Sequence, residues 1–130
     1  MLTGRDQWYN EGQPVMRHLR DFEVKNSAKN SYCLFVAPKL HRDTVNTFWM
    51  SIKYEYEGKA QKIIPLSIGQ FIELLKALVA IKERGGFLNH AQLFELYDQI
   101  IEKSSTTANA AQWLEEIPSV INDWKTRVAA

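Results

Sequence analysis

Apolar positions along this chain follow two different spacings. Between Gln13-Pro14 and Lys25 they fall at Val15, Leu19 and Phe22, a helical interval, with Pro14 either in the first turn of that helix or kinking a longer one that starts near Asp6. "YCLFVAPK" (32–39) is instead an unbroken apolar run bounded by turn formers, which predicts a strand covered on both faces. In "DTVNTFWMSIKYEY" (43–56) the helical spacing returns, with apolar residues at 45, 48, 49 and 52, Asp43 placed as an N-cap, and "EGK" breaking the helix. "AQKIIPLS" (60–67) predicts a second short strand whose Pro65 marks an end or an edge. Ser67 and Gln70 form a capping box that opens the helix "IGQFIELLKALVAIKERGG", and Gly85-Gly86 closes it. Asn89 caps a further helix through Lys103, "SSTTAN" (104–109) forms a loop, and the rest is helix, broken or restarted at Pro118.

The order is therefore helix, strand, helix, strand, helix, followed by two or three more helices. This predicts the α/β class, with strands 32–38 and 61–66 paired in parallel across a helical crossover. Trp113 and Trp124 anchor the terminal helices, and Phe48 with Trp49 belongs to the core. A sheet of two strands is marginal alone, so further strands are expected from the segment before Gly4, from chain outside this sequence, or from a partner.

Length and charge narrow the classes. A chain of 130 residues with 45% apolar and 24% charged residues suits one globular domain. The single cysteine, Cys33, lies inside an apolar run and reads as a buried structural thiol. That usage fits a reducing compartment, and with no apolar run long enough for a membrane span or signal peptide the expectation is a cytoplasmic protein. A net charge of +1 leaves no global footprint for nucleic acid. Residues 17–42 are locally basic, with Arg17, Arg20, Lys25, Lys29, Lys39 and Arg42 against Asp21 and Glu23, which on charge alone describes a solvated basic face.

Side chains able to do chemistry concentrate near the start, in "TGRDQWYNEGQPVMRHL" (3–19). On one regular helix Gln7, Glu11 and His18 would point within about 40° of each other. Their types suit phosphodiester chemistry: a carboxylate for a divalent metal, an amide to orient water or phosphate, an imidazole for proton transfer or phosphate binding. An ordinary solvated stripe has the same composition. "APKLHR" places Lys39 and His41 just beyond the carboxyl end of a strand, where open α/β sheets gather ligand groups, although a polar strand-to-helix turn looks no different. His90 reads as structural. No CxxC, P-loop, HExxH or GxSxG is present.

Three ordered segments, "LTGRDQWYNEGQPVMRHL", "LFVAPKLHRDTVNTFW" and "KIIPLSIGQFIELL", resemble the C-terminal part of the AlwI-like type IIS restriction endonucleases of the PD-(D/E)xK superfamily. The likeness covers about residues 2–80 and rests on the Gln, the Glu-Gly pair and the Arg-His pair at these spacings. It implies a partial restriction-endonuclease-like sheet flanked by helices, with residues 1–86 as the C-terminal portion of a nuclease core and 87–130 as a helical extension of the same domain. It further implies Glu11 and His18 as catalytic residues, Glu11 as a metal ligand, Mg²⁺ as cofactor, and Gln7 and Arg17 as supporting groups near the scissile phosphate, to which Lys39 is added as a phosphate-binding candidate by its place at the strand end. The strands carrying the family's Asp and first Glu would lie before Met1. The expectation is thus a part or subunit of a nuclease acting on double-stranded DNA, inactive in isolation, completed by an N-terminal region or another subunit and able to form a homodimer.

Two other readings compete. A non-catalytic assembly module that keeps the nuclease fold predicts an exposed apolar patch and a pairing surface. A small thioredoxin-like binding domain suits the strand–helix–strand order with Pro65 in a strand, but without a redox dithiol it would be a scaffold only.

Overall fold

A computed structural model describes residues 2–4, 6–26, 31–54, 60–86 and 88–129. Helix begins at Asp6 and runs without interruption to Lys25, so Pro14 belongs to the longer of the two alternatives. Proline lacks an N–H and crowds the carbonyl four residues earlier. The chain accommodates this by winding wider just before it: Trp8–Gly12 is π-helical, with Gln13 N–H donating to Trp8 C=O, and α1 (Gln13–Lys25) follows with Pro14 in its first turn. The buried face of α1 is Met16, Leu19, Arg20 and Glu23. Phe22, expected on that face, is 54% exposed, because the buried line runs through Met16, Leu19, Arg20 and Glu23 and leaves Phe22 on the solvent side.

Strand β1 (Cys33–Ala37) pairs in parallel with β2 (Ile63–Ser67), from Cys33↔Ile63 to Ala37↔Ser67, with α2 (Arg42–Lys53) as the crossover. Alternation along β1 sends Phe35 and Ala37 to a cluster with Met16, Leu19, Phe48 and Ile63, while Leu34 and Val36 face the larger cluster on the opposite side. Both faces are therefore covered, as the unbroken apolar run predicts. The expected turn after α1 and the "EGK" break fall largely on residues 27–30 and 55–59, outside the described residues.

Helix α2 is capped two positions earlier than expected. His41, not Asp43, is the N-cap: its Nδ1 accepts from Asp43 N–H at 3.2 Å, leaving Asp43 in the first turn where an acidic side chain suits the helix dipole. Helix α3 (Ile68–Glu83) carries the predicted Ser67/Gln70 box and stops at Gly85, whose φ of 75° is the left-handed conformation glycine adopts without strain. Asn89 and Gln92 form a second capping box at α4 (His90–Thr106). Helix α4 runs through the first half of the expected "SSTTAN" loop. The hydroxyls of Ser104, Ser105 and Thr106 donate to carbonyls three residues back, and Trp49 Nε1 donates to Ser104 C=O at 3.2 Å, so tertiary contact holds the turn helical. Helix α5 (Ala110–Ala129) likewise continues through Pro118, which faces solvent while Trp113, Ile117, Ile121 and Trp124 are buried on either side of it. Burial along that face outweighs the missing hydrogen bond.

The helices beyond β2 close the larger cluster. Ile64 and Leu66 of β2 share it with Leu74 and Ile81 of α3, Leu96 and Ile100 of α4, and Trp113 and Trp124 of α5. Cys33 is half-buried, and burial pushes its thiol up to about 11. The thiolate is the reactive form. Cys33 is therefore expected to alkylate with iodoacetamide at pH 8 about 100-fold more slowly than an unperturbed thiol. Comparing rates with and without urea checks this; equal rates would show that the fold does not protect it.

Candidate functional site

The sheet directs its carboxyl end to one side, where β1 passes through Pro38, Lys39 and Leu40 into α2, and β2 passes directly into α3. Gln7 ties the N-terminal segment to this end. Its Nε2 donates to Leu2 C=O and to Lys39 C=O, both at 2.8 Å, and its Oε1 accepts from His41 N–H at 2.9 Å. The side chain is wholly buried. Both amide N–H groups are thus committed to backbone carbonyls, and Gln7 acts as a positioning residue that has no donor to spare for a phosphate. Gln7→Ala is expected to cost about 2–3 kcal/mol through the buried partners left unpaired. Urea unfolding reads this cost, and amide exchange across residues 2–7 reads the release of the segment.

Glu11 lies one helical turn beyond Gln7. Its Oε1 accepts from Leu2 N–H at 3.2 Å, while its Oε2 is buried without a hydrogen-bond partner. Gly12, second member of the Glu-Gly pair, has a packing reason: a Cβ there would meet Trp8 Cε3 at 2.8 Å and Thr44 Cγ2 at 3.4 Å. The glycine lets the π-helical turn lie against α2, where Trp8 also meets Phe48 edge-on at 6.5 Å between ring centroids.

The predicted single stripe of Gln7, Glu11 and His18 does not form. Gln7 points inward, Glu11 is half-buried and His18 is exposed. Direction also separates them. Met16 C=O accepts from Gln61 Nε2 at 2.7 Å, and Gln61 stands just before β2, so α1 runs from the carboxyl end of the strands toward their amino end. Seven residues of helix put His18 on the order of 10 Å along the axis from Glu11. Exposed Arg17 lies there with it, whereas Lys39, also exposed, stays at the Glu11 end.

The basic region is correspondingly divided. Arg17, Lys25, Lys39 and Arg42 are exposed, but Arg20 is buried beside Glu23 at 3.8 Å, and Lys29 lies outside the described residues. An open hollow of about 670 Å³ between the π-helical turn and α2 is lined by Asp6, Trp8, Tyr9, Asp43, Asn46 and Thr47. Among the described residues no three His, Cys, Asp or Glu side chains converge as a metal site. Sequence reasoning did not find the double role of the His41 region, where the backbone holds Gln7 and the imidazole caps α2. A histidine two residues before an aspartate is a weak cap signal.

The family model for AlwI restriction endonuclease matches residues 1–74, from the N-terminal segment into the first half of α3. No curated protein matches the chain. Among the described residues no helix is long and apolar enough to cross a membrane.

Proposed function

This chain belongs to the AlwI restriction endonuclease family, and on that premise we propose that it forms part of the cleavage region of a type IIS, PD-(D/E)xK restriction nuclease that hydrolyses phosphodiesters of double-stranded DNA. The observation that carries the reading is Glu11, a matched carboxylate at the carboxyl end of the sheet with one oxygen buried and unpartnered.

Such an oxygen fits one position of a Mg²⁺ site, since this ion takes one or two carboxylates and fills its remaining positions with water and phosphate oxygens. Among the described residues no three such side chains converge, and this reading takes the remaining carboxylates from outside the described residues. When bound, the ion polarises the scissile phosphate. Glu11 holds its place because Leu2 N–H and the Trp8–Gly12 turn fix its backbone and one oxygen. Lys39 offers its charge to a phosphate at the same end. Arg17 and His18 stand further along α1 and contact a neighbouring phosphate, which replaces proton transfer as the role of His18. The work is placed in the cytoplasm, with the DNA.

A second reading has its own observation. Ile68, Ile72, Leu75 and Val79 are 39–55% exposed in one stripe of α3, as an assembly module pairing with another subunit or a second copy requires.

Mg²⁺-dependent nicking or cleavage of plasmid DNA tests the choice, comparing the chain alone with the chain plus a polypeptide supplying an Asp/Glu strand pair. Cleavage only in the mixture upholds the nuclease reading. A mixture that forms a folded complex and never cuts gives way to the assembly module.

A further inference from the structure

The hollow of about 670 Å³ between the π-helical turn and α2 has one aromatic wall and one polar wall. On the aromatic side Tyr9 is 72% exposed and Trp8 is half-buried, its Cε3–Cζ3 edge lying against Gly12. An indole seated on that edge turns its Nε1–H the other way. Trp49, Trp113 and Trp124 each donate Nε1–H to a backbone carbonyl, as buried indoles usually do. Trp8 departs from this: among the described residues no hydrogen bond engages its Nε1–H or the Tyr9 hydroxyl. On the polar side Thr47 donates its hydroxyl to Asp43 C=O at 2.8 Å, and Asp43 lies 3.6 Å from His41 Nδ1 and 3.9 Å from Arg42 Nε. Asp6 has no ion pair among the described residues, and the Asn46 amide makes only a 3.8 Å contact with Met50 Sδ. A carboxylate, a carboxamide and an indole N–H therefore line one open hollow beside an exposed ring.

We infer that this hollow binds one unstacked nucleotide of a DNA strand and prefers a base that carries an exocyclic amine. A phosphate alone does not suit it, because Asp6 and Asp43 repel anions, and an aliphatic group would leave its polar atoms unmatched. A base matches both walls. Its face stacks on Tyr9, its amine donates to the Asp6 carboxylate, and its ring acceptors meet the Asn46 amide and Trp8 Nε1–H. Thymine has no amine to offer. Arg42, whose side chain is 92% exposed beside Asp43, takes the phosphate of the same nucleotide. That the nucleotide belongs to the strand being cut rests on the nuclease reading above; binding of the base does not. Tyr9 and Glu11 share the Trp8–Gly12 turn, so a strand with one phosphate at Glu11 carries a neighbouring nucleotide toward the hollow. Unstacking costs least where a strand is already unpaired, as at a cut end.

The test is NMR of the full chain, following the Trp8 indole N–H and the Asn46 side-chain amide during titration with deoxycytidine, deoxyadenosine and thymidine monophosphates. Both signals are expected to shift and saturate with the cytosine and adenine nucleotides at millimolar concentration, and thymidine monophosphate is expected to bind at least about fivefold more weakly. Tyr9→Ala, at an exposed position, is expected to weaken all three at least about fivefold, and Tyr9→Phe, which keeps the ring, to bind like the parent. Asp6→Ala is expected to bring the cytosine and thymine nucleotides to within about twofold of each other. The indole signals of Trp113 and Trp124 stay where they are in every variant, which shows that the fold is intact. Equal binding of all three nucleotides by the parent, no shift at the Trp8 and Asn46 signals, or unchanged binding by Tyr9→Ala would each overturn the inference. So would tighter binding of N-methylguanidinium than of any nucleotide, which would make the hollow a cation site. Plasmid cleavage by the completed nuclease separates the two claims. Nucleotide binding without cleavage keeps the hollow and removes it from a nuclease; cleavage without nucleotide binding keeps the nuclease and overturns the hollow.

Discussion

Glu11→Gln is expected to lower Mg²⁺-dependent cleavage by the completed nuclease at least about 100-fold, the upper end of the scale on which metal sites respond even to loss of supporting partners. Stability should barely change, with Tm moving by no more than about 2 °C. The two outcomes differ because the two carboxylate oxygens have different surroundings. Oε1 accepts from Leu2 N–H, a bond the glutamine carbonyl can keep, whereas Oε2 is buried and unpartnered and contributes nothing to the fold. Initial cleavage rates and thermal unfolding of the same preparation check both halves. A variant that cuts at the parent rate removes Glu11 from the site, and one that loses activity only in step with stability makes it a structural residue.

Trp113→Ala is expected to have the largest effect on folding, about 3–5 kcal/mol. The indole is wholly buried, its Nε1 donates to Ile100 C=O at 2.9 Å, and it shares a cluster with Ile64 and Leu66 of β2. Its removal leaves a cavity where the terminal helices meet the sheet and deletes a buried hydrogen bond at the same point. Since small domains hold only about 5–15 kcal/mol in total, the variant should unfold at a clearly lower urea midpoint, and the loss should extend to the sheet. Urea titration followed by far-UV circular dichroism and tryptophan fluorescence reads both. A cost below about 1 kcal/mol would show that residues beyond α3 are dispensable to the sheet.

Much of this arrangement is legible in the sequence because its signals are local. The apolar runs at 32–38 and 61–66, the Ser67/Gln70 box, the Asn89 cap and the glycine stop each depend on a few adjacent residues, and each is found within about two residues of where the pattern places it. The departures arise where distant residues decide. Ser104 stays helical because Trp49 bonds its carbonyl from another helix. Pro118 stays inside α5 because tryptophans on both sides of it are buried. Phe22 is solvent-exposed because the face of α1 that meets the sheet cannot be read from α1 alone. The candidate site divides in the same way. Glu11 stands out by residue type and by family likeness, and Lys39 by its place just after a strand. The burial of Gln7 and the distance from Glu11 to His18 depend on the direction in which α1 crosses the strands, and no spacing within α1 encodes that.

The π-helical turn before Pro14 also sets angular phase. A wide turn holds one residue more than an α-turn, so everything on its N-terminal side is rotated by about 100° relative to a regular helix. Gln7, on that N-terminal side, reaches the Lys39 carbonyl in the rotated setting. Deleting Tyr9 or Asn10 would return the helix to its normal winding and swing Gln7 more than a quarter turn off the carbonyl it holds, with Gln7 and Glu11 both still present. The proline thus works like the detent of a dial: it touches none of the chemistry, yet it fixes which way Gln7 faces.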